Sequence, residues 1–198
     1  MIKSKPTIGF IGAGNMGLPM VKSLIKKDFE VKVYDINPNI TKKLEKDNIK
    51  AVNNLRAVAS NQFIISILPD TQNVESVFNN DSGINSYLKP GTIVIDMSTI
   101  ASSSAIEIGK TLQKMQIEFL DAPVSGGVKG ASNANLSIMI GGKKGTYKKS
   151  LDVLNSLGEN IIYAGKLGMG QVFKMCNQIM VGSHIQAMCE AFALCKSK

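Results

Sequence analysis

The chain has 198 residues, 44% of them hydrophobic, with a mean hydropathy of +0.07. Such a chain folds as one generous domain, or one domain with part of another, and is neither disordered nor fibrous. The formal charge of +8 comes almost wholly from lysine, with Arg56 the sole arginine, so recognition of nucleic acid by guanidinium forks is not expected.

The opening "MIKSKPTIGF" runs directly into a strand at Thr7–Ile11, which leaves no room for a secretory signal or transit peptide. Next comes "GFIGAGNMGLPM", with Gly12, Gly14 and Gly17 at G-x-G-x-x-G spacing, followed by "GLPMVKSLIKK" at helical period. "FEVKVYD" then alternates as a strand and closes on Asp35, 18 residues after Gly17. Strand, glycine turn, helix, strand and acid make a βαβ unit that holds a dinucleotide. Gly12 permits the turn, Gly14 lets backbone approach a pyrophosphate, and Gly17 lets the helix pack on the sheet. A carboxylate at Asp35 accepts ribose hydroxyls and repels a 2′-phosphate, which predicts NAD rather than NADP; Lys42 and Lys43 are the cations that could swing towards such a phosphate, with no arginine near.

The alternation continues with strands at Gln62–Pro69 and Gly91–Thr99, a helix at Ser102–Met115, and a strand over "IEFLDAPV". Strands at Leu136–Gly142 and Asn160–Gly165 flank a helix at Thr146–Leu157. This order predicts an α/β fold with a doubly wound sheet. From Gly170 to Leu194 one long helix is expected, apolar on more than one face and so in need of cover on most of its circumference. No run of about 18 apolar residues exists to span a membrane. Cys176, Cys189 and Cys195 lack metal-ligand spacing and read as reduced, partly buried thiols of a cytoplasmic protein without a metal site. The single histidine, His184, reads as structural.

Four later stretches bear on chemistry, and each has a plain alternative. "LPDTQNV" places Leu68, Pro69 and Asn73 at the carboxyl edge of the sheet, where open α/β folds bind ligands, or it is an ordinary strand-to-helix turn. "DMSTI" places Ser98 and Thr99 at another strand end, with the same ambiguity. "DAPVSGG" offers the Ser125 hydroxyl beside Gly126 and Gly127, a cradle for a small carboxylate or a turn. "GMGQVFKMCNQ" puts Lys174 and Asn177 on one helix face. Partial desolvation there suits Lys174 to proton transfer, while a snorkelling surface lysine is the alternative.

Together and in this order, these stretches make the chain resemble the β-hydroxyacid dehydrogenases of the 3-hydroxyisobutyrate dehydrogenase type, a group that includes tartronate semialdehyde reductases. The resemblance covers essentially all 198 residues. It implies a Rossmann-type, mostly parallel sheet over residues 1–165. Residues 166–198 would then begin an all-helical second domain, most of which the chain lacks. It implies that Gly12, Gly14, Asn15, Met16 and Gly17 form the cofactor loop and that Leu68, Pro69, Asn73 and Thr99 line the cofactor. Ser125, Gly126 and Gly127 would hold a substrate carboxylate, Lys174 would be the acid–base group, and Asn177 would orient substrate with it. The implied activity is NAD-dependent interconversion of a small 3-hydroxy acid and its semialdehyde, in a homodimer joined through the C-terminal helix. A catalytically inactive NAD-binding module is the alternative. The 6-phosphogluconate dehydrogenases resemble the chain less, since they carry a histidine before the asparagine where Cys176 stands here.

Overall fold

The computed structural model describes residues 5–78 and 83–197. The expectation about a leader at Met1 to Ser4 falls outside the described residues, as does Lys198, the end of the expected 166–198 segment.

Runs of β-branched and aromatic residues form the centre of one sheet. β1 (Ile8–Ile11), β3 (Phe63–Ser66) and β4 (Ile93–Asp96) are buried at every position, as parallel strands covered on both faces must be. The edge strand β2 (Val31–Tyr34) buries Val31 and Val33 and leaves Lys32 and Tyr34 half-exposed. With β5 (Glu118–Asp121) these strands run parallel in the order β2-β1-β3-β4-β5. β6 (Val124–Ser125) and β7 (Leu136–Gly142) follow, with β7 antiparallel to both β5 and β6. β8 (Gly158–Gly165) then pairs parallel with β7, so the sheet is mostly parallel.

Helices cover both faces. On one, α1 (Gly17–Lys26) and α2 (Pro38–Lys46) bury Met20, Leu24 and Leu44 in a core shared with Phe10 and Val33. On the other, α3 (Leu55–Ala59), α4 (Thr71–Phe78) and α5 (Ser102–Lys114) bury Val58, Phe78 and Leu112 against Ile64 and Val94. The chain leaves β1 for β2 on one side and returns as β3 on the other. The carboxyl ends of β1 and β3 therefore flank the crevice where doubly wound sheets take ligands.

Local chemistry accounts for two differences from the sequence reading. "IEFLDAPV" is not one strand: it breaks at Ala122–Pro123, because proline cannot donate to a ladder; Ala122 N still donates to the Asp96 carbonyl at 2.7 Å, and the Pro123 carbonyl accepts from Met139 N at 3.0 Å. The helix expected over Thr146–Leu157 is two short ones, α7 (Lys144–Lys149) and α8 (Leu151–Leu154), meeting at Ser150. α6 (Gly127–Asn133) was not expected. Its small residues Gly130 and Ala131 let it lie close against α1, where Ser23 Oγ donates to the Ala131 carbonyl.

The last element, α9 (Met169–Lys196), buries Gly170, Gln171 and Lys174 in its first turns and then runs clear of the sheet. Along the rest, Ile179, Ile185, Met188, Phe192 and Leu194 are exposed. Cys189 and Cys195 lie on this part and Cys176 just before it, and all three are exposed, not partly buried as expected, because no described element packs against them.

Candidate active site

The glycine loop between β1 and α1 is bare backbone by necessity. Gly12 has φ +91°, and a Cβ there would lie 2.3 Å from the Ile67 carbonyl oxygen. A Cβ on Gly17 would lie 1.9 Å from the Gly12 carbonyl oxygen, so the first turn of α1 closes only on glycine. Gly14 has open space before it, and α1 starts without a side-chain cap. Its leading N–H groups and partial positive charge are therefore directed at whatever occupies the crevice.

A cavity of about 570 Å³ opens there. Gly12, Gly14, Asn15, Met16 and Gly17 form one wall, Asp35 and Ile36 the end of β2, and Leu68, Pro69 and Asn73 the opposite side. Asp35 is fixed from two directions: Oδ2 accepts from Ala13 N at 2.7 Å and Oδ1 from Asn37 N at 2.8 Å. Each oxygen keeps a second lone pair, which the hydroxyls of a ribose can use. Loop, carboxylate and volume thus fit an adenine dinucleotide. Thr99 is exposed and lies outside this wall. Ile36, which the sequence reading passed over, stands 88% exposed at the rim of the cavity. An isoleucine left in water directly after the acid is the signal that could have found it.

On its other side the glycine loop faces α6. A second hollow, of about 400 Å³, runs from Gly14 and Asn15 to Val128 and Ser132. Ser125 ends β6, and Gly126 and Gly127, at φ +128° and +60°, turn the chain into α6. The first turns of α9 meet this loop: Ser125 Oγ donates to Asn177 Oδ1 at 3.3 Å. Lys174 lies one turn earlier, 7% exposed, with no hydrogen-bond partner or counter-ion among the described residues. Burial holds its ammonium below the usual lysine pKa.

Two carboxylates lie beneath, at neighbouring strand ends. Asp96 and Asp121 are register partners across β4 and β5, and both are fully buried. Asp96 Oδ1 accepts from Ser66 Oγ at 2.8 Å and Ser98 Oγ at 2.6 Å, while Oδ2 has no partner among the described residues. Burial pushes its pKa up to about 6, against the pull of those hydroxyls. Burial also raises Asp121, but backbone N–H groups of Gly168 and Gln171 hold it back. The structure therefore brings together the glycine loop, Asp35, Leu68, Pro69 and Asn73 around one cavity, and joins Ser125 to Asn177, with Lys174 one turn before it on α9.

Comparison with known proteins agrees with this geometry. Residues 7–165 match the family described as the NAD binding domain of 6-phosphogluconate dehydrogenase. The mitochondrial 3-hydroxyisobutyrate dehydrogenase of Mus musculus is 36% identical over 192 residues, covering 96% of this chain and 57% of that protein. The 2-(hydroxymethyl)glutarate dehydrogenase of Eubacterium barkeri is 35% identical, covering 94% of this chain and 62% of that protein. The solved structure of Mycobacterium tuberculosis 3-hydroxyisobutyrate dehydrogenase with L-serine superposes with a TM-score of 0.91 at 33% identity, over 97% of this chain and 65% of that one. The chain thus spans roughly three-fifths of the length of the relatives it matches. It belongs to the NAD-binding-domain family of 6-phosphogluconate dehydrogenase, among the relatives grouped as β-hydroxyacid dehydrogenases.

Proposed function

We propose that this chain is the NAD-binding and proton-transfer portion of a dehydrogenase that interconverts a small 3-hydroxy acid, of the 3-hydroxyisobutyrate kind, and its semialdehyde. The observation that carries the reading is a buried Lys174, without a partner among the described residues, one helical turn before the Ser125–Asn177 contact. Bound NAD supplies the hydride acceptor. The glycine-loop residues, Asp35, Leu68, Pro69 and Asn73 hold it, Thr99 standing outside the cavity wall, and Asp35 selects it over NADP. Ser125, Gly126 and Gly127 take the carboxylate of the substrate. Asn177 orients the hydroxyl, and Lys174 Nζ accepts its proton during oxidation and returns it during reduction. A lysine with a depressed pKa suits that exchange, because it spends more time neutral near physiological pH.

Residues 1–165 form the cofactor domain in this reading, and 166–198 the helix that joins it to the remainder of the site. The exposed apolar length of α9 supports pairing with the same helix of a second copy, and three unpaired thiols support a cytoplasmic setting. The test is appearance of NADH on mixing the protein with NAD and 3-hydroxyisobutyrate, beside calorimetric titration with NAD and with NADP. The chain should be assayed as it stands and joined to the C-terminal part of a relative. Binding of NAD without turnover in either form would identify a non-catalytic module instead. Tighter binding of NADP than of NAD removes the role given to Asp35.

A further inference from the structure

The chemistry above makes no use of Asp121, although the chain is closely fitted around it. It ends β5 fully buried, and its two oxygens accept from the first N–H groups of α9: Gly168 N at 2.8 Å and Gln171 N at 3.0 Å. Within α9 no side chain caps that end, so the helix borrows its cap from the sheet. The approach is as close as backbone allows. A Cβ on Gly170 would lie 2.5 Å from the Met139 carbonyl oxygen and 2.6 Å from that of Asp121, and one on Gly141 would lie 2.4 Å from Asp121 Oδ1. Gln171, 3% exposed, completes the seat: Oε1 accepts from Ile100 N at 3.1 Å and Nε2 donates to the Ser98 carbonyl at 2.8 Å. Ser98 Oγ in turn accepts from Leu68 N, at the wall of the dinucleotide cavity.

Lys174 follows Gly170 by four residues and Gln171 by three, so it lies on the same helix face. Its ammonium has no partner among the described residues, so its place is set by where the helix backbone is held. We propose that Asp121 is the positioning residue for Lys174, its carboxylate clamping the first turn of α9 onto the ends of β5 and β7 so that the lysine and Asn177 face Ser125. The catalytic meaning of the clamp rests on the proton-transfer role given to Lys174; the clamp itself does not. Aspartate is the side chain that fits. Asparagine offers one acceptor where two N–H groups converge, and glutamate is longer by a methylene for which Gly141 and Gly170 leave no space.

Competitive acetylation of the folded chain with acetic anhydride across a pH series, read lysine by lysine by mass spectrometry, tests this, with NAD affinity measured in parallel. In the unaltered chain Lys174 should titrate below the surface lysines. Asp121→Ala should move its midpoint up towards theirs by about one unit, a tenfold change in the neutral fraction at a given pH. NAD affinity should stay within about twofold, as separated sites behave. Asp121→Asn should fall between. If Asp121→Ala does not fold, Asp121→Asn and Gln171→Ala carry the test, and an unmoved Lys174 in both overturns the proposal. It is equally overturned if buried lysine and NAD site loosen together, since that describes general destabilisation and no clamp. Loss of the clamp effect leaves the proton-transfer role standing, and an unimpaired turnover in Lys174→Ala removes that role while leaving the clamp.

Discussion

α9 is one continuous helix with two different fates. From Met169 to Asn177 it is capped by Asp121, bonded through Gln171 to the loop after β4, and pressed by Gly170 against strand backbone. From Ile179 to Leu194 it carries Ile179, Met180, Ile185, Met188, Phe192 and Leu194 at 52–68% exposure. The first part shows what glycine and buried polar groups achieve: they place backbone within hydrogen-bond reach of backbone and so fix a side chain in space. The second shows what apolar residues do when no described surface meets them. Each large one left in water forgoes roughly 1.5–3 kcal/mol of burial.

The largest expected effect is on the second part. At about 100 μM the chain should self-associate, because several exposed side chains together rival the roughly 5–15 kcal/mol stability of a whole domain. Ile185→Glu combined with Phe192→Glu should return it to a monomer by light scattering, whereas Lys174→Ala should leave association as it was. A monomer in the unaltered chain would mean that the two parts of α9 differ less than their exposures indicate.

The next effect belongs to the seat. Asp96 has a folded pKa near 6 against an ordinary 3.8, so the folded state holds its proton more tightly than the unfolded state does. Its contribution to stability is complete below about pH 4 and is lost as pH rises through 6. Over that window the unaltered chain should lose about 3 kcal/mol relative to Asp96→Asn, from a shift of about two units. Urea denaturation at pH 4 and pH 7 measures the difference. Parallel curves for the two proteins would show that Asp96 ionises in the folded state as freely as in water.

Glycine substitutions make the sharpest contrast within one helix. Gly170→Ala should cost about 1–3 kcal/mol, since its Cβ collides with strand carbonyls that cannot retreat. Gly182→Ala meets nothing within 4 Å, and should stabilise the helix by up to about 1 kcal/mol through backbone entropy alone. Opposite signs at the two positions are the expected thermal-denaturation result. Equal signs would dissolve the distinction between the parts.

The same contrast explains what could be read in the sequence. The buried strands were legible because β1, β3 and β4 are short apolar runs between turn signals, and the glycine loop because its three glycines sit inside a βαβ unit with Asp35 at the right distance. Lys174, Asn177 and the Ser125–Gly127 loop were singled out as a site only through family resemblance, since i,i+3 spacing alone also describes a surface lysine. Asp121 and Gln171 left no signal. A carboxylate at the end of a buried strand looks like any strand end until a helix start, 47 residues later at Gly168, is brought onto it. α6 was hidden by its composition: "GVKGASN" has poor helix propensity, and packing on α1 forms it. The cysteines, expected to be partly buried, are exposed because a residue on an apolar helix is buried only where another element arrives to cover it.

In the proposed function, the seated start of α9 presents Lys174 for proton transfer to and from a substrate held with NAD. The most direct test of this claim is the turnover of a 3-hydroxy acid by Lys174→Ala, compared with the unaltered protein in whichever form, the chain itself or the chain joined to the C-terminal part of a relative, shows NADH production. A fall of about 10²–10⁴-fold is expected, the usual worth of a general acid–base group, with NAD affinity by calorimetry nearly unchanged. A fall of less than about tenfold would contradict the claim and move the proton to another group.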